Sequence, residues 1–359
     1  MDKSYTLTQD QKVDLVNFCK NYPSGDNCQP FKFIFTQGNL ILSHDPERGA
    51  HNLNPYSVAS IISLGALEYY LEVWLDNNKL SVSKKYTFTN IQQGVFEARY
   101  SFFQVSSPKS KTLPSVDKRE CNRQKYKKSK QLFDLTDVFS NLDTRFPNIG
   151  RYHLETPLQR NLMDYIKDAE SYMWKDNRSI DDFFRWLKFK SPCPEGLYWK
   201  NLGINIFVAT TLFLMKKINF LRNIFKYSIQ VQSQSIVNNL INSSDGVIIL
   251  STKDDKPESL VDIGFNLTYI WCSLNINRKS LQPHNLGFIP LYAAKSLKHK
   301  TNKKYDTLLN SGHQILSKEL SFTTDEIAAW MFRYGNSARL NEDSKVGRLP
   351  NQNLVNSID

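Results

Sequence analysis

The side chains best equipped for chemistry in this chain are basic groups and amides rather than nucleophiles or metal ligands. From Lys118 to Lys130 the segment KRECNRQKYKKSK sets seven Lys or Arg against one Glu. Guanidinium forks hold phosphate oxygens in fixed geometry, and Arg119 and Arg123, four apart, share a face if a helix begins there. A solvated linker end and a nucleic-acid groove are the alternatives. The second is weakened by the single interleaved aromatic, Tyr126, because base-stacking surfaces use several. A further polar cluster, PSGDNCQPF (23–31), reads as a turn, yet most of its residues donate or accept hydrogen bonds and it is longer than a turn requires.

Other catalytic arrangements are missing from the sequence. It has no Walker loop, no GxGxxG, no GxSxG and no HxxxH pair. The five cysteines are scattered without a CxxC, and the six histidines are equally dispersed. That pattern argues against a disulfide framework and a zinc site, and for a reducing, cytoplasmic setting. With neither nucleophile nor metal in evidence, chemistry carried by a bound organic cofactor is the economical reading.

These groups need a scaffold, and the composition provides one. Hydrophobic residues at 40% and aromatics at 13% exclude a disordered chain, and 359 residues allow one large domain or two smaller ones. The net charge of +11 favours an anionic partner: phosphate, nucleic acid or an acidic membrane surface. Thr8 with Gln11 forms a capping-box pattern for a helix whose Val13, Val16 and Cys19 share a face. Phe31, Phe33 and Phe35 alternate as in a half-buried strand, TQGN is a hairpin turn, and LILSH returns. A long apolar helix over 57–75 and a strand at KKYTFTN follow, and the Ser-, Pro- and Lys-rich stretch 105–118 reads as a linker. Helices are expected near 156–176, 180–189, 229–242, 258–275 and 323–334, with strands at GVIILST and GFIPLYAA. The apolar stretch INIFVATTLFLM (204–215) is too short to span a bilayer. With the following INFLRNIFKY it reads as a buried or lid-like helix, a membrane-surface helix being the alternative. The N-terminus lacks the apolar core of a signal peptide.

The sequence also repeats itself. SLGALEYYLEVWLDNNKL (63–80) overlays DIGFNLTYIWCSLNINRK (262–279) with Gly65 on Gly264, Tyr70 on Tyr269, Asn78 on Asn277 and Lys79 on Arg278. A repeat of two suggests a pseudo-dimer folded into one chain.

Taken together these segments resemble the FMN-dependent nitroreductase-like flavoproteins. PSGDNCQPF is similar to the family's P-S-S-x-N-S-Q-P-W segment at Pro23, Ser24, Asn27, Gln29 and Pro30. Arg119-Glu-Cys-Asn-Arg123 is similar to its R-x-S-x-R/K phosphate grip, with Cys121 for Ser, and SKVGRLP (344–350) to a basic element near the C-terminus. In ordinary members the grip comes first and two identical subunits share each flavin. Here the order is reversed and each motif occurs once, as in a subgroup with fused, unequal halves.

The resemblance implies an α+β nitroreductase-like fold, a mixed sheet flanked by helices in two related halves that form an intrachain pseudo-dimer. Residues 1–110 would form the first half and 111–359 the second, with a lid-like helical insert at about 150–230. One FMN would lie at their junction. Pro23, Ser24, Gly25, Asn27 and Gln29 would cradle it, and Arg119, Cys121, Arg123, Lys345 and Arg348 would hold its phosphate. Pro283, His284 and Asn285 would approach its reactive edge. The implied activity is NADH- or NADPH-driven oxidoreduction of a small-molecule or peptide acceptor. A non-catalytic flavin-binding protein and a basic nucleic-acid-binding module are the alternatives, and further homodimerisation is open.

Overall fold

The computed structural model describes residues 3–105, 113–129, 132–191, 193–337 and 347–357. The first half runs β1 (Lys3–Tyr5), α1 (Gln9–Cys19), β2 (Phe31–Thr36), β3 (Asn39–His44), a short α2 (Pro46–Gly49), α3 (Val58–Asn77), β4 (Leu80–Asn90) and β5 (Val95–Gln104). Thr8 and Gln11 make the expected reciprocal capping box. Phe31, Phe33 and Phe35 are buried along β2, and Gly38, at φ 72°, turns the chain into β3. The strands pair antiparallel in the order β2-β3-β5-β4, and β1 pairs with the end of β5 beyond β3.

The second half contains α4 (Thr136–Asp143), β6 (Ile149–Glu155), α5 (Arg160–Ser171), α6 (Asn177–Trp186), the two-residue strands β7 (Leu187–Lys188) and β8 (Leu197–Tyr198), α7 (Ile206–Lys217) and α8 (Asn219–Asn242). It continues through β9 (Gly246–Thr252), α9 (Pro257–Ile276), β10 (Ser280–Pro283), α10 (Phe288–Lys295), α11 (Lys303–Leu320) and β11 (Ile327–Gly335). Its sheet is antiparallel in the order β6-β9-β11-β10. That is the first half's order again, with α9 in the place of α3.

The repeat reaches individual atoms. Lys79 and Arg278 both adopt left-handed backbone, φ 54° and 60°. Asn78 donates to the Trp74 carbonyl at 2.9 Å and Asn277 to the Ser273 carbonyl at 2.8 Å. The two long helices cross where neither residue carries a side chain. A Cβ on Gly65 would lie 1.8 Å from the Val261 carbonyl oxygen, and one on Gly264 would lie 1.8 Å from that of Ile62. Such reciprocity is the mark of a two-fold contact. The fold is therefore α+β, with two related halves packed through α3 and α9. The last strand, β12 (Val355–Ser357), then crosses over and pairs parallel with β2 of the first sheet.

The main apolar core fills the space between α3, α9 and the two sheets. A second lies between α5, α10, α11 and the outer face of the second sheet. A third sits in the insert around Trp174, Phe184, Leu187, Leu212 and Met215. Helix α3 is apolar and long enough to cross a bilayer by composition, but 89% of that stretch is buried in protein.

Several elements differ from expectation. GFIPLYAA folds as α10, and the expected helix 323–334 is largely β11. Both runs are almost wholly buried, so neither carries the polar face whose period separates helix from strand. The stretch 204–226 breaks at Ile218 into α7 and α8, and α8 continues through the expected helix at 229–242. Val13 is exposed, and Leu15 packs inside beside Val16 and Cys19. Neither β5 nor α11 was anticipated by the spacing analysis, although Phe96, Ala98, Tyr100 and Phe102 alternate inward along β5.

Candidate functional site

A cavity of about 1010 Å³ lies between the halves, walled by α3, α9, the loop 21–28, the segment 116–123 and part of the insert. Pro23, Ser24, Gly25, Asn27, Arg119, Cys121, Arg123, Pro283, Asn285 and Arg348 all line it. Gln29 and His284 are buried behind its wall. Lys345 lies outside the described residues.

The PSGDNCQPF turn is long because it clasps other parts of the chain. Its backbone winds through one 3-10 turn at Gly25–Asn27, with left-handed φ at Asp26, Asn27 and Gln29 of 49°, 53° and 49°. Such conformations persist only where the surroundings hold them. Ser24 Oγ accepts from the Gln29 amide at 3.0 Å. The Asn27 side chain donates to the Gly347 carbonyl at 3.2 Å and accepts from Arg348 Nη1 at 2.5 Å. Gln29 accepts from the Leu349 amide and donates to the Pro194 carbonyl, both at 2.9 Å. Cys28 is buried, which pushes its thiol up to about 12. Its carbonyl accepts from Arg48 Nη2 at 2.6 Å, and Arg48 pairs with Glu195 of the insert at 2.8 Å.

The segment carrying Arg119 and Arg123 is not helical. Trp271 Nε1 donates to the Glu120 carbonyl at 2.8 Å, the Glu120 amide donates to Asn275 at 3.0 Å, and the Asn122 amide to the Leu281 carbonyl at 3.1 Å. Residues four apart in such an extended strap are separated by roughly 13 Å, so the two arginines do not converge. Arg123 donates to the Asn201 carbonyl at 3.2 Å. Arg119 donates to the Tyr70 hydroxyl at 2.7 Å and the Asn21 carbonyl at 3.1 Å, its guanidinium 4.9 Å from the Trp271 ring centroid.

The residue that meets Arg119 is Arg348, whose Nη2 donates to the same Asn21 carbonyl at 3.0 Å. Neither guanidinium pairs with a carboxylate among the described residues. Arg348 Nε is buried with no hydrogen-bond partner among the described residues. Burial, then the charge of Arg119, holds the Arg348 guanidinium down to about 10. Two cations gathered on one carbonyl repel, and an anion set between them reverses the sign of that term. The pair concentrates positive charge where the second half's strap and the C-terminal arm meet a loop of the first half.

On β10, beside the strap, Gln282 is gripped by the buried Arg333, Nη2 at 2.6 Å and Nε at 2.9 Å, and Arg333 also donates to the Gln124 carbonyl at 2.7 Å. The His284 amide donates to the Met331 carbonyl at 2.9 Å. Its ring stands 3.7 Å from the Glu170 carboxylate, and neither ring nitrogen has a hydrogen bond among the described residues. Phe183, Trp186, Leu197, Tyr198 and Leu202 cover the cavity from the insert, whereas α7 and α8 contribute no lining residue. Sequence reasoning missed Tyr70, Trp271, Asn21 and Arg333. The repeated helices carry the first two and could have directed attention to them; the other two have no local signal. Among the described residues no group of three or more His, Cys, Asp or Glu is placed to hold a metal.

No family model matches the chain, and no curated protein does. Among solved structures it is similar to an FMN- and NADPH-dependent nitroreductase of a Sphigopyxis strain, at 11% identity and TM-score 0.36, over 67% of this chain and 96% of that one. It is similar to a nitroreductase with bound FMN from Desulfitobacterium hafniense, at 10% identity and TM-score 0.35, over 67% and 94%. A putative nitroreductase from Anabaena variabilis matches over 93% of this chain and 74% of its own, at 10% identity and TM-score 0.34. Superpositions this loose bear on neither ligand nor reaction, and the site's own geometry carries the functional reading.

Proposed function

We propose that the chain is an FMN-binding oxidoreductase with one flavin site between its halves. The observation that carries this reading is the Arg119–Arg348 pair: two guanidiniums on one carbonyl, with a buried Nε left over. These residues fit a phosphate, which offers several acceptor oxygens to converging donors. The cavity of about 1010 Å³ is at the upper end of the roughly 300–1,000 Å³ of small-molecule sites. Ile62 and Ala66 of α3, with Leu267 of α9 and Ile289 of α10, give it an apolar floor suited to a flat ring system. Bound FMN would supply the hydride and electron chemistry.

The chain's own part is positioning. Tyr70 and Trp271 fix Arg119 at the seam, and Asn27 orients Arg348. Gln282, held by Arg333, and Pro283 and Asn285 form the wall that would face the reactive edge. The insert's aromatic residues exclude water on the open side. NADH or NADPH is the proposed donor and a small organic molecule the acceptor. Mixing the purified protein anaerobically with each nicotinamide tests this. The flavin absorbance is expected to bleach and to return when an acceptor such as a quinone is added. Yellow protein that no nicotinamide bleaches would make the chain a flavin holder without this activity.

A further inference from the structure

Helices α7 and α8 form a hairpin whose outer face is apolar and uncovered. Along α8, Phe220, Ile224, Tyr227 and Val231 recur at spacings of four, three and four and are 70%, 52%, 73% and 49% exposed. That is one continuous helical stripe. Phe207 on α7 is 81% exposed, and Ile218, at the bend, 46%. The inward side chains Leu212 and Met215 fill the insert's core, and only toward the C-terminal end of α8, at Val237 and Ile241, are apolar residues of that helix buried. The stripe is therefore surplus to the fold, and exposed faces of this size mark interaction sites.

Charge selects among occupants. The hairpin, 206–242, carries Lys216, Lys217, Arg222 and Lys226 and no Asp or Glu. From 185 to 244 there are eight Lys or Arg and one acid, Glu195. Lys216 is committed to the Phe184 and Leu187 carbonyls and Arg222 to Asp181, while Lys217 is exposed at the bend, beside the stripe. A second copy of the same face would set like charges together with no carboxylate to pair them. Anionic headgroups above an acyl layer satisfy both features at once: apolar side chains enter the boundary, and lysines reach up to the headgroups.

We propose that the α7–α8 hairpin docks this chain on an anionic lipid bilayer, lying in the surface and not spanning it. The proposal is independent of what fills the cavity. The test uses the purified full-length chain, sedimented with vesicles of phosphatidylcholine alone and of phosphatidylcholine with one-third phosphatidylglycerol. Binding is expected to the anionic vesicles, falling as salt is raised. Phe220→Ser with Ile224→Ser and Tyr227→Ser is expected to weaken it by about tenfold or more. Ile224→Ser alone, which opens no buried core, should weaken it measurably at an unchanged melting temperature, and Lys217→Glu with Lys226→Glu should remove the salt dependence. Protein that stays in the supernatant with anionic vesicles overturns the proposal, as does an Ile224→Ser chain that binds like the parent. So does sedimentation velocity showing a dimer that Ile224→Ser dissolves, without lipid binding, since the occupant would then be a second copy.

Discussion

Arg119 and Arg348 are 229 positions apart in sequence and meet on the carbonyl of Asn21. Charge-assisted hydrogen bonds are each worth about 1.5–3 kcal/mol, so Arg119→Ala with Arg348→Ala should weaken FMN binding by roughly 100-fold or more. Fluorescence titration with free FMN measures this, and Arg123→Ala, whose side chain among the described residues bonds the Asn201 carbonyl, should cost much less. Asn27→Ala is the subtler case. It leaves both guanidiniums in place but removes the bond that orients Arg348 Nη1, so flavin retention should fall while the far-ultraviolet circular dichroism is unchanged. Residue type alone singled out Arg119, and it lines the cavity. Arg348 was expected beside it from the resemblance, as was Arg123, but a four-residue spacing converges only on a helix, and the strap along β10 is extended. Cys28 is buried within the clasp, and that burial pushes its thiol up to about 12, away from the thiolate form.

At the scale of elements, the crossing of α3 and α9 is the most demanding contact in the molecule. Gly65→Ala or Gly264→Ala would force a Cβ into a carbonyl of the facing helix, at a cost of about 1–3 kcal/mol or more. A melting temperature lowered by several degrees for either variant is the expected reading. Close by, Asp262 on α9 is pushed up to about 6 by burial, with the Glu68 carboxylate adding to it and Lys84 opposing. The folded state thus binds this proton more tightly than the unfolded chain. Its stabilising contribution is complete below the ordinary aspartate value and is lost as pH rises through about 6. Asp262→Asn should remove that loss, so its stability advantage over the parent grows between about pH 4 and 6 in denaturant melts. The glycine pair and the helix ends were visible as an echo because they are constrained by backbone geometry. The α10 and β11 runs were misread because they are almost wholly buried and keep no polar face.

For the whole molecule, the C-terminal arm ties the second half to the first. β12 adds to the first half's sheet and brings Arg348 to Asn27. A chain ending at Pro350 keeps Arg348 but loses that strand, and it should retain less flavin through gel filtration at near-unchanged helix content. The order of the motifs led to the expectation that both halves contribute to one site, whereas β12, with its three pairing residues, was hidden in a polar tail. The most direct measurement is the absorbance spectrum of the purified chain, with released flavin counted against protein. One FMN per chain is expected, lost when Arg119 and Arg348 are both replaced. A colourless protein that takes up no FMN on titration would contradict the assignment.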